Sequence, residues 1–302
     1  MGGTVPPLPD SDRGRGASRP GASGQPRGRD AGTPAVAVST HRAMTPESMA
    51  GAIEAGLKTD RFGRPLSVYE QVGSTNDEAA PLARQGAPEG TTVIAQVQTR
   101  GRGRRGRTWH SPAGGLWLSV VLRPRLAREQ WPLLGLAASA GAADAVGEVA
   151  RLPVRVKWPN DLLVEKRKIG GVLIETSGTA AIAGIGINAN VPPGALDPEI
   201  GATSLLAWLG HPVDLVELAC AVLGRFEWHY DLLHRDPEAI LGRWREHDVT
   251  LGRQVRVWGA QDLEGVAEDV DSRGALLVRT PEGLQRVVAG DVSLRTVETP
   301  AE

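Results

Sequence analysis

Five arginines and three glycines lie close together between Gln98 and Pro112, in the stretch QTRGRGRRGRTWHSP. Glycine lets the backbone adopt positive φ and approach a ligand closely. Arginine offers forked donors that match phosphate and carboxylate oxygens. The stretch, whose residues 99–111 we call the arginine loop, therefore suits closure over a nucleotide phosphate; a solvated basic loop or an Arg-Gly nucleic-acid-binding tail has the same composition. The arginines are Arg100, Arg102, Arg104, Arg105 and Arg107.

The flanking segments predict that the arginine loop belongs to a folded domain. Thr91 to Gln98 is typical of a β-strand leading into it, and Gly115 to Leu122 is an apolar, Trp-containing strand leading out. A disordered basic tail would not lie between two core strands, whereas binding loops commonly connect such elements. The formal net charge of the whole chain is only -1, so the positive charge is local.

Two further motifs follow in the chain. KWPND spans Lys157 to Asp161 at the end of a predicted strand, and KIGGVLIE spans Lys168 to Glu175. Together with GRGRRGR from Gly101 to Arg107, and in this order, they resemble the biotin protein ligases, which adenylate biotin and attach it to a lysine of a carrier protein. The resemblance extends over roughly residues 66 to 297, and three such motifs in order are not expected by chance.

The resemblance implies that a set of polar residues and glycines contacts biotin. The urea ring of biotin needs both donors and acceptors, which hydroxyl and amide side chains supply. Ser, Thr and Asn before the helix predicted from Asp77 to Arg84 can also cap that helix, and both roles are compatible. Paired glycines would weaken a strand unless a group approaches its backbone, and the biotin bicycle is that group by resemblance. The predicted contacts are Ser74, Thr75, Asn76, Gln98, Arg102, Gly103, Arg104, Lys157, Gly170 and Gly171.

Lys157 and Arg104 are the predicted catalytic residues. An ammonium group at a strand end can hold the biotin carboxylate near the α-phosphate and stabilise the charge that develops during adenylation. The alternative is that Lys157 is a salt-bridged surface lysine, and the KWPND context favours the ligand-binding role. The loop residues Arg102, Gly103 and Arg104 would cover the adenylate and exclude water.

The adenine end of ATP is assigned to two further residues by the same resemblance. Trp109 is expected to stack on adenine, with packing against the apolar strand as the alternative. Asn188, at the end of the strand predicted over Ala180 to Asn190, is expected to contact the adenine edge, with a turn residue as the alternative. The predicted ATP or adenylate contacts are Arg102, Arg104, Arg105, Trp109, Lys157 and Asn188.

Asp161 is the candidate metal ligand. Mg²⁺ commonly takes one or two carboxylates together with substrate phosphates, and Asp161 could instead order its loop with Asn160. The histidines show no metal-ligand spacing with cysteine or acidic residues, so we predict that they pack or face solvent. ATP and biotin as substrates, with Mg²⁺, are therefore the expected small molecules.

Length and composition limit the class of protein. The 302 residues are 41% hydrophobic, which is enough for a sizeable core and up to about two domains. A single cysteine, Cys220, excludes an internal disulfide and fits a reducing compartment. The sequence shows no apolar run of the roughly 18 residues expected of a membrane span, and its N-terminus lacks the apolar core of a signal peptide. A cytoplasmic location is therefore expected.

Four segments are predicted along the chain. Residues 1–45, rich in Gly, Pro, Ser and Arg, are expected to be disordered because they cannot bury enough apolar surface. Residues 46–65 hold a short helix and linker, with Thr45 as the N-cap. Residues 66–248 are predicted to form an α+β domain with a mixed sheet flanked by helices, and by resemblance the β-rich residues 249–302 form a small SH3-like barrel. The helices expected late in this domain include Asp214 to His234 and Pro237 to His247, the latter with a break at Gly242 as an alternative.

The predicted function is adenylation of biotin to biotinyl-5'-AMP, followed by transfer to a lysine of a biotin carboxyl carrier protein. The N-terminal segment is too poor in apolar periodicity for the repressor domain that some relatives carry, so a ligase-only protein is expected and DNA binding is disfavoured. The nearest alternative is a lipoate or octanoate ligase. A nucleic-acid-binding regulator that uses its Arg-Gly segments is the alternative from another class, and it predicts salt-sensitive binding without ATP turnover.

Overall fold

The computed structural model of the chain describes residues 44–196, 201–259, 262–288 and 290–294. The predicted disorder of residues 1–45 falls almost entirely outside these ranges. In chain order the helices and strands are α1 (Pro46–Gly56), β1 (Leu66–Val72), α2 (Thr75–Arg84), β2 (Thr92–Gln98), β3 (Leu116–Leu122), α3 (Pro132–Ala150), β4 (Val154–Lys157), β5 (Asp161–Val164), β6 (Arg167–Ser177), β7 (Ala180–Ile187), α4 (Leu205–Leu209), α5 (Leu215–Arg235), α6 (Pro237–His247), β8 (Gln254–Trp258), β9 (Leu263–Val270), β10 (Leu276–Thr280), β11 (Gly283–Val287) and β12 (Asp291–Leu294).

The first seven strands form one mixed sheet in the order β1-β2-β3-β7-β6-β5-β4. Strands β1 and β2 pair in parallel, and every other neighbouring pair is antiparallel. Helix α2 connects the parallel pair, as a parallel connection requires a crossover. The predicted α+β class with a mixed sheet is confirmed.

The two faces of this sheet are covered unequally. On one face the alternate residues of β3 and β7, such as Leu118 and Ile185, pack in the main core with the Ala-rich helix α3 and with α5. On the other face α2 covers only one part, through Ala79 and Ala83 against Val93 and neighbouring strand residues. No helix of the described residues covers the rest of that second face, which carries the polar residues of the site.

Helix α3 is the apolar centre of the main core. Residues 128–150 are long and apolar enough to cross a membrane by length and composition alone, in contrast to the expectation from sequence, and an 18-residue window within them has a mean hydropathy of 1.3. However, 72% of that window is buried inside the protein. The apolarity of α3 is therefore that of a helix enclosed between a sheet and other helices.

The helix boundaries follow from local side-chain chemistry. Thr45 and Asp214 accept hydrogen bonds from backbone amides at the starts of α1 and α5, as predicted for Thr45. Helix α6 runs unbroken through Gly242, so the alternative of a break there is wrong. Its surroundings in the main core, where Ile240, Leu241 and Trp244 are buried, outweigh the weak helix propensity of one glycine.

The last five strands form an antiparallel sheet in the order β11-β10-β9-β8-β12, which we call the C-terminal sheet. Its arrangement is consistent with the predicted SH3-like fold. The indole Nε1 of Trp158 donates to Gly274 O at 3.2 Å, and the backbone N–H of Trp158 donates to Thr250 Oγ1 at 2.8 Å. These bonds tie the end of β4, next to Lys157, to the C-terminal sheet.

A carboxylate on α3 joins the three long helices. Asp144 lies 2.7 Å from His229 Nε2 on α5 and 2.8 Å from His247 Nε2 on α6. His229 and His247 therefore pack, whereas His211 is exposed, and both roles are among those predicted for the histidines. The described residues contain no cluster of three acidic, histidine or cysteine side chains that could hold a metal ion. Burial would raise the pKa of Asp144, but the hydrogen bonds from His229 and His247 lower it. The bond to Asp144 in turn raises the pKa of His247.

These two pKa shifts predict a pH-dependent contribution to stability. The contribution of Asp144 is present above its unfolded pKa of about 3.9 and is lost as pH falls through its lowered folded value. The contribution of His247 is present below its unfolded pKa of about 6.5 and is lost as pH rises through its raised folded value. Asp144→Asn should therefore lower the free energy of unfolding most, by about 2 kcal/mol, between about pH 4 and 6.5, and by less at alkaline pH.

Urea denaturation of the wild type and Asp144→Asn across this pH range measures the effect. Glu148→Gln is the matched control, because Glu148 lies on the same helix and pairs with Arg225 at the surface. A difference between wild type and Asp144→Asn that is the same at every pH would contradict the proposed titration.

Candidate active site

A cavity of about 270 Å³ lies on the sheet face that α2 leaves open. Strands β3, β6 and β7 form its floor, the start of α2 and the end of β4 form its walls, and the arginine loop and C-terminal sheet form its roof. The structure brings most of the predicted site residues to this cavity, but Arg105, Gly170 and Asn188 do not line it. Those that line it are Ser74, Thr75, Asn76, Gln98, Arg102, Gly103, Arg104, Trp109, Lys157, Asp161 and Gly171.

The polar residues at the start of α2 face the cavity instead of capping the helix. Ser74 occupies the N-cap position, but its side chain makes no capping bond to the described chain, so side-chain capping was a wrong prediction. Gln98 Oε1 accepts from Thr75 N at 2.8 Å and from Thr75 Oγ1 at 3.1 Å, and Gln98 Nε2 donates to Ser111 Oγ at 2.7 Å. The amide of Gln98, on β2, thus holds the start of the helix by direct hydrogen bonds.

Asn76 is held in one orientation by neighbours on two strands. Its Oδ1 lies 2.6 Å from Ser119 Oγ on β3, and its Nδ2 donates to Glu175 Oε2 on β6 at 2.6 Å. A Cβ at Gly184 on β7 would lie 2.5 Å from Asn76 Oδ1, so only glycine leaves space for this amide. The cavity wall therefore presents hydroxyl and amide groups that are already positioned, which suits recognition of a neutral polar ring.

Two lysines converge on one carboxylate at the other side of the cavity. Lys157 Nζ lies 3.1 Å and Lys168 Nζ 2.5 Å from oxygens of Asp161. Burial alone would raise the pKa of Asp161, but the charges of Lys168 and Lys157 lower it. Two ammonium groups so close together offer a site for an anionic ligand, with Asp161 balancing their charge while the ligand is absent.

This pairing does not fit the predicted role of Asp161 as a Mg²⁺ ligand. Each of its oxygens already faces an ammonium group, and a dication would have to displace both. Within the described ranges no third acidic or histidine side chain completes a metal site there. The lysine pair instead supplies the positive charge at this position.

The arginine loop bends sharply to present its side chains in different directions. Arg105 has φ 59° and Gly106 has φ 75°, so the tip is left-handed. Arg102 turns back to Asp77 at 2.7 Å and to Glu175 at 3.1 Å, and its hydrogen bond to Asp77 raises its pKa. Arg104 lines the cavity and donates to Gly290 O at 3.1 Å, and burial lowers its pKa. Arg105 points to Trp258 O at 3.1 Å, away from the cavity.

Trp109 and Asn188 each contain a buried polar atom without a partner among the described residues, namely Trp109 Nε1 and Asn188 Oδ1. The Trp109 indole lies over Gly186, where a Cβ would come within 2.7 Å of Nε1, and Lys168 Nζ is 5.0 Å from its ring centroid. Asn188 is only 2% exposed and donates to Thr203 O at 2.9 Å. Both adenine contacts remain predictions.

The paired glycines differ in position. Gly171 lines the cavity, but a Cβ at Gly170 would lie 2.6 Å from Gly186 O on the neighbouring strand. Successive strand residues point to opposite faces, so only one of the two glycines can face a ligand. Gly170 does not line the cavity because its strand packs closely against β7, and its contact with biotin stays a prediction.

Four residues that the structure places at the site are absent from the predicted set. Lys168 was visible only as the first residue of KIGGVLIE, and a β-bulge near Leu163 carries it back to Asp161. Glu175 was visible as the last residue of KIGGVLIE. Ser119 and Asp291 gave no signal, because their contacts depend on strand register and on the packing of the C-terminal sheet.

Comparison with known proteins identifies the family. A model of the Biotin/lipoate A/B protein ligase family matches residues 68–191, and one of the Biotin protein ligase C terminal domain matches residues 250–295. The bifunctional ligase/repressor BirA of Bacillus subtilis is 35% identical over 255 residues, which are 80% of this chain and 78% of that protein. The biotin--[acetyl-CoA-carboxylase] ligase of Mycobacterium tuberculosis is 34% identical, with 76% and 88% covered.

A solved structure supports the same relationship. The biotin protein ligase from Aquifex aeolicus in complex with biotin and ATP superposes with a TM-score of 0.67 at 31% identity. The match covers 76% of this chain and 98% of that one. The two family models cover, respectively, the mixed sheet from residue 68 onward and the C-terminal sheet.

The close fit of Asn76 against Gly184 predicts opposite effects of the same substitution at two glycines. Gly184→Ala should destabilise the protein by about 1–3 kcal/mol, because the added methyl group must displace the Asn76 amide. Gly135→Ala is the matched control. Gly135 lies in helix α3, and a Cβ there would meet Ile174 Cγ1 of β6 at an ordinary contact distance of 3.7 Å. It should stabilise by about 0.5–1 kcal/mol. Urea denaturation measures both, and equal stability of Gly184→Ala and wild type would contradict the packing described.

Proposed function

The chain belongs to the biotin protein ligase family, and we propose that this cavity joins biotin to ATP and then passes the biotinyl group to a lysine of a biotin carboxyl carrier protein. In the first step a carboxylate oxygen of biotin attacks the α-phosphorus of ATP, and pyrophosphate leaves. In the second step the carrier lysine amine attacks the acyl carbon of biotinyl-5'-AMP, AMP leaves, and the nitrogen loses a proton.

The convergence of Lys157 and Lys168 on Asp161 is the observation that carries this proposal. Their ammonium groups lie beside a cavity whose other wall offers the neutral donors and acceptors of Thr75 and Asn76. Biotin has this same division, with a neutral urea ring at one end and a carboxylate at the other. The urea ring would therefore bind at one wall of the cavity, and the reacting carboxylate would lie at the other.

Lys157 and Lys168 would leave Asp161 and hold the biotin carboxylate and the α-phosphate together. Fixed positive groups at this point stabilise charge that develops in the transition state without reorganising solvent. Arg104 and Gly103 would close over the mixed anhydride, because they already line the cavity roof. Excluding water there protects the adenylate from hydrolysis.

The nucleotide would lie toward Trp109 and Asn188. The partnerless Trp109 Nε1 and Asn188 Oδ1 are the groups in this region with unused hydrogen-bonding capacity among the described residues. We place adenine at the Trp109 indole, and Asn188, which is buried and does not line the cavity, would contact it only after becoming accessible when the nucleotide binds. Arg102 and Arg105 would contact phosphates only after giving up their present partners. Those are Asp77 and Glu175 for Arg102, and Trp258 O and Asp291 for Arg105.

Mg²⁺ would enter with ATP, held by the phosphate oxygens. The carrier is proposed from the family's reaction, and a cytoplasmic location from the reducing compartment that a single cysteine fits.

Biotin-dependent exchange between ATP and pyrophosphate tests the first step directly. Exchange with biotin and none with lipoate is the expected result. Exchange with lipoate alone would replace biotin by lipoate in the proposal, and no exchange with either acid would reject the adenylation step.

Lys157→Ala should reduce biotin-dependent exchange by about 10²-fold or more, because it removes a positive group from the site of charge development. Lys168→Ala should have an effect of similar size, since both ammonium groups contact the same carboxylate. Lys166→Ala, an exposed lysine in the same hairpin, is the control and should exchange at the wild-type rate. Wild-type exchange by Lys157→Ala would reject its catalytic role.

Arg104→Gly should let biotinyl-5'-AMP escape, because the cavity loses part of its roof. The measurement is biotinylation of a non-cognate protein such as serum albumin, which reacts with released adenylate. Arg104→Lys, which keeps the charge but not the fork that reaches Gly290 O, should leak less. Retention of the adenylate by Arg104→Gly as tight as in wild type would contradict a covering role.

A further inference from the structure

Three side chains of the arginine loop end on the C-terminal sheet. Arg104 donates to Gly290 O at 3.1 Å, Arg105 donates to Trp258 O at 3.1 Å, and Arg107 donates to Asp291 Oδ2 at 2.6 Å. The partners lie at adjoining ends of β8 and β12, which pair with each other. The arginines and their partners are 153 to 186 residues apart in the chain, so these contacts join the arginine loop to a distant part of the fold.

The loop tip has a conformation that needs support. Arg105 is left-handed with φ 59°, a region that non-glycine residues adopt at a cost. The Arg105 guanidinium lies against Gly259, where a Cβ would be 1.4 Å from Nη1, so a glycine is required for this approach. The tip is thus shaped to place Arg105 against the C-terminal sheet rather than in the cavity.

Asp291 supplies the carboxylate where the arginine loop contacts the C-terminal sheet. Its carboxylate is 2.6 Å from Arg107 and 3.6 Å from Arg105, and its side chain is only 14% exposed. The Arg105 and Arg107 side chains are 44% and 60% exposed, so it is the shielded carboxylate, hydrogen-bonded to Arg107 and facing Arg105, that distinguishes this contact from an ordinary surface pair. Asp291 also lines the rim of the cavity, beside Trp258 and Val292.

We infer that Asp291 is a positioning residue that holds the arginine loop closed, so that the C-terminal sheet determines how long the adenylate is retained. It acts through Arg107 and Arg105 and need not touch the reacting atoms. The retention half of this inference rests on the proposed function, whereas the anchoring half concerns the ligand-free protein alone.

Hydrogen exchange in the full-length, ligand-free protein tests the anchoring. Two loop amides report closure: Gly103 N–H donates to Arg107 O at 2.7 Å, and Trp109 N–H donates to Gly101 O at 2.9 Å. Asp291→Asn should speed their exchange about tenfold or more, because a hydrogen bond to a charged group is lost. Amides of β9 and β10 should be unchanged. Glu268→Gln is the matched control, since it removes an exposed carboxylate from the same sheet that pairs with Arg279.

Retention is measured as the dissociation rate of preformed biotinyl-5'-AMP. Asp291→Asn should release it faster by about the same factor, and Asp291→Glu should recover much of the retention because it restores the carboxylate. Loop amides in Asp291→Asn that exchange as in wild type, or that speed up together with β9 and β10, would overturn the inference. Unchanged retention in a protein that forms adenylate would also overturn it.

Arg107→Gln removes the same ion pair from the loop side and settles the case if Asp291→Asn does not fold. The double variant should be no worse than Asp291→Asn alone, because Asp291→Asn already removes the ion pair with Arg107. Additive effects would overturn the inference. If the wild type forms no adenylate from biotin, the proposed function fails, while the exchange of the loop amides still decides the anchoring.

Discussion

Several cationic side chains surround one small cavity, and the rest of the site depends on how their charges are balanced. At an effective dielectric constant of about 20, two like charges about 4 Å apart repel by about 4 kcal/mol. The structure offsets such repulsion with carboxylates: Asp161 contacts Lys157 and Lys168, while Asp77 and Glu175 contact Arg102. In our account these carboxylates keep the cations in place until the anions of the ligand replace them.

The fold makes such a cavity possible by leaving one face of the mixed sheet partly bare. Helix α2 covers only the part of that face near Val93. Gly184 and Gly186 have no side chains, which leaves space for Asn76 and Trp109 to pack directly on the sheet. The arginine loop then needs a support from above, and the C-terminal sheet supplies it. The two sheets therefore share one site, although each has its own set of strand pairings.

The order of helices and strands, and the inserted position of the arginine loop, could be predicted from sequence because they depend on local periodicity and glycine content. The motifs also identified most residues that line the cavity. What could not be predicted depends on contacts between distant residues. Strand alternation, not composition, separates Gly171 from Gly170, and packing over 184 residues brings Asp291 to Arg107.

The central claim is that Lys157 and Lys168 exchange Asp161 for the anions of the ligand. The most direct test is NMR titration of the Asp161 carboxyl carbon in protein labelled with ¹³C-aspartate, free and saturated with a non-hydrolysable analogue of biotinyl-5'-AMP. In the free protein the lysine charges should hold the pKa of Asp161 below its ordinary value, and in the complex that pKa should rise as both lysines turn to the ligand. A pKa that is the same in the free protein and in the complex would contradict the account.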